Sequence, residues 1–119
     1  MTAPRPQATS PDVRREAPIT CTLDAADRTA RLTHARELGE QALVDLEVGE
    51  RRALLRFRAA HESVAAFVAA ERACCAFFEF SMTRHGEDTE LEIRTPAGGE
   101  ALLRGLVAGI VAGWKGGIR

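Results

Sequence analysis

The stretch Leu43–Ala59, LVDLEVGERRALLRFRA, decides how this chain folds. Val44, Leu46 and Val48 alternate with Asp45 and Glu47, so the apolar side chains point one way and the carboxylates the other. Gly49-Glu50 supplies a turn, and the chain returns from Ala53 to Ala59 with Leu55 and Phe57 set against Arg56 and Arg58. Period-two patterning on both sides of a glycine turn predicts a β-hairpin. Its apolar face needs a cover, and the segments on either side carry helical periodicity.

Beyond the hairpin, a helix opens around His61-Glu62-Ser63 and runs through Val64, Phe67, Val68, Glu71, Cys74 and Cys75. The period drops to two at Phe78, Phe80 and Met82, which predicts a strand from near Phe77. His85-Gly86-Glu87-Asp88 turns the chain into Glu90–Arg94, a second hairpin that Pro96-Ala97-Gly98-Gly99 ends. From Glu100, Leu102, Leu103, Leu106, Val107, Ile110, Val111 and Trp114 recur at helical spacing. Before the first hairpin, a weakly amphipathic helix covers roughly 25 to 39 through Leu32, Ala35 and Leu38. Asp24 is placed to cap it and Gly39 to stop it. Ahead of that helix, Ile19, Cys21 and Leu23 share one face of a short strand.

The elements thus run strand, helix, hairpin, helix, hairpin, helix. The first six follow the βαββαβ, ferredoxin-like order, with an extra strand and a C-terminal helix behind them. The expected fold class is α+β: a two-layer sandwich with helices packed on one face of a mainly antiparallel sheet. One domain is expected over residues 19–115. A disordered N-terminal tail over 1–18, marked by Pro4, Pro6, Pro11 and Pro18, would precede it, and a frayed C-terminus over 116–119 would follow.

Composition excludes several classes of function. With 119 residues there is room for one core. Sixteen basic and seventeen acidic residues leave a net charge of −1, which argues against a nucleic-acid partner, since such affinity rests on phosphate neutralisation. No apolar run approaches the ~20 residues that cross a bilayer, and the first residues lack the apolar block of a secretory signal. Three cysteines are an odd set, too sparse for a disulfide scaffold and suited to a reducing compartment. A cytoplasmic protein with neither a membrane nor a nucleic-acid partner is expected.

The chemistry concentrates in Glu71-Arg72-Ala73-Cys74-Cys75-Ala76-Phe77-Phe78-Glu79-Phe80. On a helix, positions three and four apart are neighbours, so Cys74 and Cys75 both adjoin Glu71. Glu71 lies in the row of Val64, Phe67 and Phe78, where a carboxylate pays a desolvation cost unless it is partnered. Two thiols and a carboxylate are therefore expected to converge at the accessible edge of an apolar surface. The competing reading makes the cysteines small core hydrophobes. A Cys74–Cys75 disulfide is disfavoured: adjacent α-carbons lie ~3.8 Å apart, short of the ~4.4–6.8 Å that a disulfide spans. The pair also falls at the C-terminal, negative end of its helix, which disfavours a thiolate and welcomes a cation. Few nitrogen or sulfur ligands are at hand to complete a zinc set, so soft ions that accept two or three sulfurs suit the inventory better: Cu(I), Hg(II) or As(III). Cys21 is a candidate third sulfur, though a core cysteine is its simpler reading.

His34, His61 and His85 show no ligand spacing and read as surface residues. Phe57, Phe77, Phe78 and Phe80 read as core aromatics. Arg72 faces away from the stripe and reads as solvated, with Glu71 or Glu79 within its reach. No phosphate loop, HExxH, GxSxG or CxxC occurs, and nothing calls for an organic cofactor.

The run Glu71-x-x-Cys74-Cys75-x-Phe77-Phe78-x-Phe80, with Ile93-x-x-Pro96 behind it and Cys21-Thr22-Leu23 and Arg31-Leu32 ahead, resembles a family of small bacterial proteins. These are frequent in actinobacteria and carry an E-x-x-C-C-P-F signature. Related segments stand beside or fused to regulators of the mercury-resistance class. The resemblance covers about residues 19 to 111 and implies a role with thiophilic metals or metalloids, with Glu71, Cys74, Cys75 and Cys21 as the shared positions. Ala76 departs from the pattern, where proline is common.

Three readings follow. In the first, Cys74, Cys75, Cys21 and Glu71 hold a soft metal or metalloid ion for resistance, trafficking or sensing. In the second, the chain is a thiol enzyme that reduces an oxyanion or cleaves a carbon–metal bond, with Cys74 and Cys75 as catalytic thiols and Glu71 as proton shuttle. In the third, it is an interaction domain with core cysteines. A homodimer through strand edges, or a protein partner encoded nearby, is compatible with each.

Overall fold

A computed structural model describes residues 25 to 114, with side chains from Arg28 onward. The strand expected at 19–23 with Cys21, the Asp24 cap, the tail over 1–18 and the end over 116–119 lie outside those residues. The described elements are α1 (Ala25–Ala42), β1 (Leu43–Val48), β2 (Arg52–Arg58), α2 (His61–Cys74), β3 (Glu79–His85), β4 (Asp88–Arg94) and α3 (Glu100–Val111).

Alternation builds the sheet. Ala53, Leu55 and Phe57 of β2 and Thr89, Leu91 and Ile93 of β4 are buried, while Arg56, Glu90 and Glu92, between them, carry charges on the outer face beside Leu54. The four strands lie in the order β1-β2-β4-β3, and every neighbouring pair is antiparallel. The two hairpins therefore meet through their second strands. Leu55 sits opposite Leu91 and Ala53 opposite Ile93, and Phe80 of β3 adds to the same inner face opposite Ile93. The strand appended to the βαββαβ order, β4, thus holds a central place beside β2. On the outer face Glu92 pairs with both Arg52 and Arg94, which keeps that surface polar.

The helices complete a two-layer α+β sandwich over the inner face. α2 contributes Val64, Phe67 and Val68 to the core, and α3 contributes Leu103, Leu106, Val107 and Ile110. Trp114 packs against their edge.

Two details of the first layer differ from the sequence expectation. α1 does not stop at Gly39 but runs to Ala42. Gly39 serves packing instead: a Cβ placed there would lie 1.8 Å from the carbonyl oxygen of Ile110, so the missing side chain lets α1 and α3 touch backbone to backbone. Gly113 plays the same part against the carbonyl of Arg36. In β1, the register shifts between Leu43 and Asp45. This bulge puts Leu43, not Val44, opposite Phe57 on the inner face, while Leu46 and Val48 keep the expected side opposite Leu55 and Ala53.

Candidate functional site

The last turn of α2 carries the site. Cys74 ends the helix, and Cys75 leaves it with φ −126° and ψ 74° while its N–H still donates to the Glu71 carbonyl at 2.7 Å. The helix therefore ends cleanly with alanine at position 76. Phe78 N–H donates to the Cys75 carbonyl at 3.1 Å, and the chain departs through Phe77 and Phe78, whose rings stack at 4.4 Å.

Glu71, Cys74 and Cys75 come together as expected. One ligand atom from each lies within 4.8 Å of the others, and the two Sγ atoms are 3.4 Å apart. Their setting differs from the expectation of an accessible edge: all three are buried, with Glu71 only 1% exposed. The physical reason is a partner for the carboxylate. Arg31 of α1 donates from Nε to Glu71 Oε1 at 2.8 Å and Oε2 at 2.7 Å. This neutralises the charge and allows the pair to sit against the core.

Arg31, the partner of the Glu71 carboxylate, is the residue of this cluster that periodicity missed. Its mark in the sequence was the Arg31-Leu32 pair, which carried no role. α1 buries Ala35, Leu38 and Ala42, and Arg31 extends that row by one turn. Leu32, expected on the buried face, is 53% exposed instead. His34, one turn along α1 from Arg31, meets the Phe67 ring edge-on at 5.7 Å and is not a plain surface residue. Arg72 does not balance Glu71. Its Nη2 donates to the Phe80 carbonyl at 3.1 Å, and the guanidinium lies over the Phe80 ring. His85 is on the surface beside Glu90, as expected.

The sulfurs are not equivalent. Cys74 is a free thiol, whereas Cys75 belongs to a disulfide. Burial pushes the Cys74 thiol up from its ordinary value, the Glu71 carboxylate adds to the shift, and Arg31 offsets part of it. Desolvation works against the Arg31 charge, yet the bonds to Glu71 leave its pKa raised. The site therefore holds a protonated thiol, a disulfide sulfur and a carboxylate fixed by a guanidinium. Such a thiol is a poor nucleophile at neutral pH, but a bound cation can deprotonate it outright.

Among the described residues, no helix is long and apolar enough to cross a membrane. Compared with family models, curated proteins and solved structures, the chain matches none.

Proposed function

We propose that this protein, in its reduced form, binds a soft thiophilic metal or metalloid ion of the Cu(I), Hg(II) or As(III) class. Cys74 and Cys75 supply thiolates, and Glu71 acts as a carboxylate ligand or as the base that takes up a thiol proton. The observation that carries this reading is the convergence of the three donor atoms within 4.8 Å. The raised Cys74 thiol favours ion binding over an activated nucleophile, because the ion itself supplies the driving force for deprotonation.

The test is titration of the fully reduced protein with arsenite, Hg(II) and Cu(I), read by native mass spectrometry and by ultraviolet sulfur-to-metal absorption. One ion per chain is expected. Cys74→Ser and Cys75→Ser should each weaken binding at least ~100-fold, the upper end of what is lost even when only a supporting residue is removed. Equal affinity in the wild type and the Cys74→Ser/Cys75→Ser double variant would refute the proposal.

A further inference from the structure

In the reduced protein, the site holds two thiols and a carboxylate away from water. Glu71, Cys74 and Cys75 are buried, and Val64, Phe67, Phe77 and Phe78 belong to the same core. A charge left unmatched in such surroundings is costly, so charges there balance locally. Arg31 donates to both oxygens of the Glu71 carboxylate, and the pair therefore contributes no net charge. Among the described residues, Glu71 and Arg31 are the charged groups that act on the Cys74 thiol. Arg72, next to Glu71 in sequence, is turned away to the Phe80 carbonyl and ring. Two protonated thiols beside the Arg31–Glu71 pair thus make a neutral cluster before any ion enters.

We propose that the Arg31–Glu71 pair makes this site selective for charge: it takes an ion whose charge two thiolates cancel, Hg(II) rather than Cu(I), and As(III) as a centre that keeps one hydroxide. This rests on the ion-binding reading above and narrows it. When Hg(II) enters, two sulfur–mercury bonds form, the two thiol protons pass to solvent, and the cluster stays neutral. Arsenite reaches the same end by another route. Two of its hydroxyls leave as water with the thiol protons, two sulfur–arsenic bonds form, and the third oxygen remains. Cu(I) on the same two thiolates leaves one negative charge. Arg31 does not meet it, because its own charge is already matched by Glu71. The balance holds whether or not Glu71 also touches the ion, so Arg31 and Glu71 determine specificity as a pair. Neutralising Glu71 while Arg31 stays in place frees one positive charge beside the sulfurs and turns the preference toward Cu(I).

The experiment partitions Hg(II) and Cu(I), each in turn and without oxygen, between the fully reduced full chain and dithiothreitol, with native mass spectrometry reading the bound fraction. Comparing the Cu(I)-to-Hg(II) affinity ratio of each variant with that of the wild type cancels the intrinsic preference of thiolates. Glu71→Gln keeps an oxygen for Arg31 to bond but leaves its charge unmatched. The ratio should then rise at least ~10-fold, a modest change for one unit of charge so close to the sulfurs. Arg31→Met, which leaves the carboxylate unmatched, should lower the ratio. The neutral double variant Arg31→Met/Glu71→Leu should bring it back to near the wild-type value. Arsenite should follow Hg(II) and lose ground to Cu(I) in Glu71→Gln. Where one single variant does not fold, the shift in the other decides. A ratio that the single variants leave unmoved, or that the double variant moves as far as Glu71→Gln does, would overturn the charge selectivity and leave ion binding standing. Absence of any bound ion in the wild type would remove both readings.

Discussion

Arg31 and Glu71, 40 positions apart in sequence, form an ion pair in which one guanidinium nitrogen donates to both carboxylate oxygens. Glu71 is almost wholly buried and Arg31 is 17% exposed. Removing one partner of such a pair strands the other charge in a poor solvent. Arg31→Met is therefore expected to lower unfolding stability toward the lower end of about 3–5 kcal/mol, given the residual exposure of the arginine. The double variant Arg31→Met/Glu71→Leu should recover most of that loss, since it leaves no charge unpaired. Urea unfolding of both variants checks the contrast. A double variant as unstable as the single one would show that packing, not charge pairing, carries the effect.

The same pair marks where reading the sequence stops. Alternation in 43–59 and 78–94 and helical spacing in 100–114 make both hairpins and the last helix legible, because each pattern is local. The turn Glu71-x-x-Cys74-Cys75 is legible for the same reason: helical spacing alone puts the three residues together. The partner of Glu71 is not, because nothing within α2 says which distant cation will cover a buried carboxylate. Gly39 looks like a stop by the same blindness, since the backbone it accommodates belongs to α3. The β1 bulge also escapes, because a register is decided by the partner strand as much as by the strand itself.

Gly39 offers a sharp test of helix packing. A methyl group there meets the Ile110 carbonyl at 1.8 Å, and a backbone atom cannot step aside as a side chain could. Gly39→Ala should cost about 1–3 kcal/mol or more through overpacking, despite the better helix propensity of alanine. Gly105, exposed in the middle of α3, is the matched control, since nothing lies within 4 Å of the place its methyl group would take. Gly105→Ala should stabilise the protein by about 0.5–1 kcal/mol. Thermal unfolding of the two variants should shift in opposite directions.

Thr89 lies fully buried on the inner face of β4, and its hydroxyl finds no hydrogen-bond partner among the described residues. Burying an unsatisfied hydroxyl costs about 1–3 kcal/mol. Thr89→Val keeps the shape and removes the unmet polar atom, so it should raise stability by up to that amount. Thr89→Ser, which keeps the hydroxyl and deletes a methyl, should lower it. Denaturant midpoints give the ranking Val above Thr above Ser, and any other order would mean that the hydroxyl is satisfied in solution.

Cys74 gives stability a dependence on alkaline pH. Its folded-state pKa is raised above the ordinary 9.0, first by burial and then by the Glu71 charge. The folded protein therefore holds the thiol proton at pH values where the unfolded chain releases it. The resulting stabilisation is complete below pH 9 and is lost progressively as pH rises from there through the folded-state value. Cys74→Ala removes the titrating group. It should lower stability at neutral pH through lost packing while flattening the decline above about pH 9 relative to the wild type. Urea unfolding from about pH 7 to about pH 10.5 measures both slopes. Parallel slopes would place the Cys74 thiol in contact with water and detach it from the Glu71 carboxylate.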